Sequence, residues 1–522
     1  MVVIIDFGSQ TTHLIERRIK ELGVATKIIS PPSSLSKIQL FKPKGIILSG
    51  GPASVYAKNA PKIDPKIFSL NIPILTICYG FQITTQALGG KVIGGKKEYG
   101  PAQLSINNYQ LTITKKLPRT FQVWMSHGDE IVKIPTGFKV LGSTEHVPFA
   151  LAVDESRQIY GLLFHPEVEH TQYGKEILKN FLSICHSGLD PESRKILKRV
   201  QNDKAGKNQI DRLINQIKQT VGKSYVIGAV SGGVDSTVAA TLVSSAIGNK
   251  FIPVYVDNGL MRDGTTLWVE KIFKSLGTKP IIVDTKVEML KKLRGIIDPE
   301  EKRKVIGAFY IEIFERELKR LKLLSFDIRY LMQGTIYSDV IESKGTKHAA
   351  KIKSHHNVGG LPKRMKLKLL EPLRHFYKDQ VKEIGRSLGL PDEFINKQPF
   401  PGPGFAVRIR GEVTKERLEK EKQADKIVLD ELEKNGLLDK VFISFPVMTG
   451  ADSTAVKGDG RFFGEVIALR IVESKDVMTA SFAQIPYPIL QKISSRIVNE
   501  VPGISRVVYD ISTKPPATME WE

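Results

Sequence analysis

Apolar positions fall into short continuous runs, separated by stretches whose apolar residues recur every three or four positions. The runs 2–5, 45–48 and 74–77 have the length and branched content of buried parallel strands. Between the first two, residues 14–22 carry one apolar face at helical spacing. The alternation returns after residue 210. It predicts a helix over 210–221, a strand over 225–230 and a helix over 237–247, then strands over 251–257, 279–284 and 330–335. Such βα alternation builds open, doubly wound sheets whose sites collect at the carboxyl ends of strands.

Beyond about residue 396 the pattern changes. A charged helix is predicted over 415–435, strands near 441–447 and 462–472, a helix over 488–499 and a strand over 507–511. Two punctuated stretches separate the parts. Residues 185–209 are polar and rich in turn formers, and Gln398-Pro-Phe-Pro-Gly-Pro-Gly404 is a rigid turn. The expected fold class is α/β: two doubly wound, mostly parallel sheet domains over 1–189 and 190–397, then a smaller α+β domain over 398–522.

A chain of 522 residues is too long for one core. Its 41% hydrophobic and 25% charged residues are those of a soluble globular protein. No apolar run reaches the roughly 18 residues of a membrane span, so no membrane contact is expected. The first residues enter a strand-like run without a basic leader, so no signal peptide is expected either. Two cysteines cannot form a disulfide framework, and a reducing, cytoplasmic setting is the simpler expectation. The net charge of +22 suits anionic partners. Basic residues are scattered, with modest clusters at 347–353 and 363–368, and no RNA-binding or helix-turn-helix motif is present. Small anionic substrates are therefore expected rather than nucleic acid.

Candidate chemistry sits at three places. Ser231-Gly-Gly-Val-Asp-Ser-Thr237 breaks a strand and opens a helix, so bare loop amides and a helix N-terminus face the same point. Gly232 and Gly233 let a phosphate approach the backbone, and Asp235 offers a carboxylate that Mg²⁺ could bridge to phosphate oxygens. The plain alternative is a glycine turn. It is not the Lys-Ser/Thr phosphate loop; Gly90 to Lys96 approaches that pattern, but Lys97 stands where Ser or Thr belongs.

Cys78 lies at a second strand-to-helix turn, where sulfur is presented near a helix N-terminus. His165 and Glu167, two apart on an extended segment, point the same way. If they meet Cys78, the imidazole can take the thiol proton and Glu167 can orient it. Taken singly, Cys78 reads as a small core residue, and His165, Glu167, Glu169 and His170 as possible metal ligands. The third place is 352–362, where Lys353, His355 and His356 stand among glycines. Lacking a third and fourth ligand nearby, it reads as a basic lid over phosphates rather than a metal site.

Asp6-Phe-Gly-Ser-Gln10, Leu48-Ser-Gly-Gly-Pro52, Ile77-Cys-Tyr-Gly80, Ser126-His-Gly-Asp129 and Phe164-His-Pro-Glu167 resemble, in this order, the class I glutamine amidotransferases. The resemblance implies that Cys78 attacks the glutamine amide, that His165 is general base and acid, and that Glu167 orients it. The amides of Gly51 and Tyr79 are the implied oxyanion donors. Thr76 stands where that family often has glycine, and its branched side chain is expected to crowd the turn. The loop 231–237 resembles that of the ATP pyrophosphatases, which split ATP into AMP and pyrophosphate.

Adding Asp257-Asn-Gly-Leu260, Asp298-Pro-Glu-Glu-Lys-Arg-Lys304, Lys353-Ser-His-His-Asn357 and Phe400-Pro-Gly-Pro-Gly404, the chain resembles the glutamine-hydrolysing GMP synthetase family, apart from 185–209. This implies a carbon–nitrogen ligase that uses glutamine, ATP with Mg²⁺, and XMP. The implied XMP contacts are Arg303, Lys514 toward the phosphate and Glu520 toward the xanthine ring. The last domain is the implied homodimer contact. The rival expectations are another ATP-pyrophosphatase amidotransferase, such as an NAD or asparagine synthetase, and a nucleotide-sensing or nucleic-acid-binding protein on a retired enzyme scaffold.

Overall fold

Three sheets organise the chain in a computed structural model, which describes all residues except 32–34, 108–109, 186–204, 325, 338, 341–366, 458–459 and 475–476. The first sheet uses β1 (Val2–Ile5), β2 (Thr26–Ile29), β3 (Gly45–Leu48), β4 (Ile74–Ile77), β5 (Lys91–Ile106), β6 (Thr120–Lys133), β7 (Lys139–Ser143), β8 (Leu151–Asp154) and β9 (Ile159–Leu162). Its order is β2-β1-β3-β4-β9-β8-β7-β5-β6. The half from β2 to β9 is parallel, and β1, β3, β4 and β9 are buried at every position, as strands covered on both faces must be. The other half is antiparallel and ends in the β5–β6 hairpin. The short apolar runs do not foretell that half, because β5 is interrupted by glycines and register shifts.

The second sheet is wholly parallel. It contains β10 (Tyr225–Ala229), β11 (Phe251–Asp257), β12 (Ile281–Asp284), β13 (Ile328–Met332) and β14 (Lys368–Leu370), in the order β12-β11-β10-β13-β14. The chain runs outward from β10 on one side and returns on the other. The carboxyl end of β10 is therefore a topological switch point, where α/β sheets bind ligands.

The third sheet is a long antiparallel hairpin of β15 (Ile443–Lys457) and β16 (Gly460–Glu473). The short β17 (Ser481–Phe482) is antiparallel to β16, and β18 (Ile504–Tyr509) is parallel to it. Helices Lys415–Lys434 and Tyr487–Glu500 pack on it. One apolar cluster runs from Ile227 and Val254 in the second sheet through Phe405 and Ile427 to Ile467 and Ile504 in the third. The first sheet keeps a separate core.

Helix Thr12–Glu21 carries the first sheet against the second. Tyr377 Oη donates to the His13 carbonyl at 3.1 Å, Arg17 lies 4.4 Å over the Tyr377 ring, and Arg17 pairs with Asp379. Among the described residues, no helix is long and apolar enough to cross a membrane.

Candidate active sites

β4 ends in a sharp turn into a helix. Cys78 has φ 49° and ψ −109°, a left-handed conformation costly for a residue with a Cβ, and it caps helix Tyr79–Ala87. The neighbours make room for it. A Cβ on Gly80 would lie 2.5 Å from the Leu48 carbonyl, and one on Gly50 would lie 2.9 Å from His165 Cε1. A Cβ on Gly51 would lie 2.8 Å from the Phe7 carbonyl. Bulk is thus excluded at Gly51, and at Gly80 just after Tyr79. Thr76 does not crowd the turn. It lies in regular strand register between Leu48 and Gly161, and its hydroxyl donates to the Tyr160 carbonyl at 3.3 Å.

The first sheet also brings His165 and Glu167 to this point. β9 runs beside β4, and the His165 amide donates to the Trp124 carbonyl at 3.0 Å. His165 Nδ1 meets Glu167 Oε1 at 2.8 Å, with both residues buried. Burial opposes the imidazolium, but the Glu167 carboxylate and the Cys78 sulfur outweigh it and hold the His165 pKa well above its ordinary value. The Cys78 thiol donates to the Ser126 carbonyl at 3.3 Å. That bond explains part of the Ser126–Asp129 motif; Asp129 explains the rest by accepting from the Val55 amide at 2.9 Å.

One residue of this constellation escapes sequence reasoning. Thr11 Oγ1 donates to Glu167 Oε1 at 2.6 Å, the same oxygen that faces His165. The only hint is its position one residue after the Asp6–Gln10 motif. Glu169 and His170 do not join His165 and Glu167. Glu169 pairs with Arg18, and His170 Nδ1 meets Thr479 Oγ1 at 2.7 Å.

The glycine loop lies at the carboxyl end of β10. Gly232 has φ +74°, and Gly233 caps helix Val234–Ile247. The hydroxyls hold the turn: Ser236 Oγ accepts from the Ser231 amide at 3.2 Å, and Thr237 Oγ1 donates to the Gly233 carbonyl at 2.8 Å. A Cβ on Gly334, just past β13, would lie 2.7 Å from the Ser236 backbone, so only glycine lets this segment close up on the first turn of helix Val234–Ile247. Lys378 Nζ donates to both oxygens of Asp235, at 2.7 and 2.6 Å. Asp235 is a hard oxygen ligand of the right kind for Mg²⁺, but it already carries a cation, which a metal must displace. Asp257, at the end of β11, accepts from Thr266 Oγ1 at 2.8 Å and pairs with Lys286 at 3.1 Å.

Of the three residues expected at an XMP site, Lys514 and Glu520 lie in segment 512–522 and Arg303 contacts it, and each has an internal partner. Arg303 donates to Glu300 at 2.6 Å and to the Glu522 carbonyl. Lys514 Nζ donates to the Val477 carbonyl at 2.7 Å, and its backbone pairs with Ala480. Glu520 receives Arg408 Nε and Nη2, both at 3.2 Å. A cavity of about 630 Å³ adjoins the segment, lined by Pro299, Arg410, Thr449, Trp521 and Glu522 among others. Lys353, His355 and His356 lie outside the described residues.

The family model for glutamine amidotransferase class-I matches residues 3–185, and that for the GMP synthase C terminal domain matches residues 430–521. The chain is similar to the GMP synthase (glutamine-hydrolyzing) of Aquifex aeolicus, 49% identical over 523 residues, covering 100% of this chain and 99% of that protein. It is 48% identical over 524 residues to the protein of the same name from Thermosipho africanus, again covering 100% and 99%.

Proposed function

The chain belongs to the glutamine-hydrolysing GMP synthases, and from that membership we propose how its parts divide the reaction. The overall conversion turns XMP, ATP, glutamine and water into GMP, AMP, pyrophosphate and glutamate. We assign glutamine hydrolysis to residues 1–189. His165 takes the Cys78 proton, the thiolate attacks the glutamine amide, and the amides of Gly51 and Tyr79 hold the oxyanion. His165 then protonates the leaving ammonia, and water releases glutamate from the thioester. Glu167, itself held by Thr11, keeps the imidazole oriented.

We assign the adenylating step to residues 190–397, with 231–237 as the ATP loop. The xanthine 2-oxygen attacks the α-phosphorus and pyrophosphate leaves. Ammonia then adds at carbon 2, and AMP departs with the former xanthine oxygen. A ring oxygen is a poor leaving group, and adenylation makes it a good one. Mg²⁺ would be held by Asp235 once Lys378 gives way, and would neutralise phosphate charge. Arg303, Lys514 and Glu520 are assigned to XMP, residues 398–522 to a homodimer contact, and the enzyme to the cytoplasm.

The observation that carries this reading is the pairing of two strand-end sites in one chain: a strained cysteine beside a buried His–Glu pair, and a glycine loop at a switch point. The test is product analysis with ATP and glutamine, offering XMP, deamido-NAD or aspartate in turn. The reading expects AMP, not ADP, and product from XMP alone. Turnover of deamido-NAD or aspartate, or ADP formation, would overturn it.

A further inference from the structure

Lys302, Arg408 and Arg470 are the only lysine or arginine side chains buried among the described residues, each with 0% exposure. They come from three elements: helix Pro299–Leu323, the turn after Gly404–Val407, and β16. All three bind the same eleven-residue segment, 512–522. Lys302 Nζ donates to Glu522 Oε2 at 2.8 Å and to the carbonyls of Ile409 and Ala406 at 2.6 and 3.2 Å. Arg408 lies between the rings of Phe445 and Phe400, at 4.0 and 4.6 Å, and takes Glu520 as a fork. Arg470 donates to the carbonyls of Ser512 and Thr518 at 2.5 and 3.0 Å, and pairs with Asp510 at 3.2 Å.

Removing a cation from water is expensive, and a hydrophobic residue of like volume often packs as stably. Three such cations on one surface segment are therefore better explained by geometry than by stability. Lys514 and Glu520 lie in that segment, on opposite sides of the Thr518 anchor. Glu520 uses one lone pair on each oxygen for Arg408 and keeps others to accept an N–H of a purine ring.

We propose that Lys302, Arg408 and Arg470 are positioning residues that clamp segment 512–522 as a rigid wall of the XMP site, with Arg408 aiming the Glu520 carboxylate at the purine. The proposal rests on assigning Lys514 and Glu520 to XMP. In this arrangement the clamp acts through Glu520 and Lys514 and touches no reacting atom. It sets XMP affinity and leaves glutamine hydrolysis alone.

The experiment uses the full chain and measures the XMP dissociation constant, the glutaminase rate without XMP, and hydrogen exchange across 512–522. Arg408→Lys, which keeps the charge but loses the fork, and Glu522→Gln, which neutralises the carboxylate opposite Lys302 without emptying a buried site, are compared with Glu520→Gln and Lys514→Met. The expected result for the first two is XMP affinity weakened roughly tenfold or more, faster exchange in 512–522 and an unchanged glutaminase rate. Unchanged XMP affinity and exchange in these two, while Glu520→Gln and Lys514→Met weaken XMP, would overturn the clamp and leave the XMP assignment standing. Unchanged XMP affinity in all four would overturn the assignment beneath it. Parallel loss of glutaminase and XMP binding would reduce the three cations to structural residues and overturn the proposal.

Discussion

Cys78 is held at φ 49° by its surroundings, and the residues that hold it differ in how visible they are from sequence. Cys78, His165 and Glu167 stand out because a strand-end thiol and an alternating His/Glu pair are rare patterns with a chemical reading. Thr11 does not, because its bond to Glu167 spans 156 positions and a hydroxyl has no periodicity to betray it. Thr11→Val keeps the shape and removes a bond to a charged acceptor worth about 1.5–3 kcal/mol. We expect glutaminase kcat to fall roughly 10- to 100-fold, with the KM for glutamine little changed. An unaltered kcat would remove Thr11 from the account. Asp235 is legible as a carboxylate in a glycine loop, but its partner Lys378 lies 143 positions away and is not. Asp235→Ala should impair GMP synthesis from ammonia and from glutamine alike; an unchanged ammonia-driven rate would contradict its role in the ATP loop.

At the scale of elements, apolar runs locate β1, β3, β4 and β10 to β13 to within a few residues, but not the parallel strands β2, β9 and β14. The predicted helix over 14–22 is Thr12–Glu21, and the predicted strand over 225–230 is Tyr225–Ala229. The β5–β6 hairpin is illegible because glycines and bulges break its alternation. Close approach between elements is equally hidden. Helix Tyr79–Ala87 meets β3 at Gly80, where a methyl would lie 2.5 Å from the Leu48 carbonyl. Gly80→Ala should destabilise the fold by about 1–3 kcal/mol and depress glutaminase activity. Equal melting temperatures would show that the elbow relaxes.

Helix Lys415–Lys434 buries Glu421 completely, and neither carboxylate oxygen has a hydrogen-bond partner. Burial, followed by repulsion from Asp425, Glu465 and Glu520, outweighs attraction to Arg408 and holds its pKa well above the ordinary 4.5. The folded state therefore binds this proton more tightly than the unfolded state. Its contribution is fully present below 4.5 and is lost as pH rises toward the folded value. Glu421→Gln mimics the neutral acid, so its melting temperature should gain on the parent between about pH 5 and pH 8. A constant difference across that range would mean that Glu421 is ionised in the fold.

The whole molecule joins two chemistries that its sequence states separately. Each site is readable because each is local, a strand end followed by a helix. Their mutual placement is not, because it depends on contacts between distant segments, such as His13 with Tyr377 and His170 with Thr479. The clamp on 512–522 is hidden for the same reason: its three cations are scattered from residue 302 to residue 470 and look like ordinary basic residues. Two sites in one chain predict that the first can fail without stopping the second. The most direct measurement is GMP formation by Cys78→Ala with glutamine and, separately, with saturating ammonia. Glutamine-driven synthesis should fall by at least about 10³-fold, while ammonia-driven synthesis stays within about twofold of the parent. Equal loss with both nitrogen sources, or retention of glutamine-driven synthesis, would contradict the account.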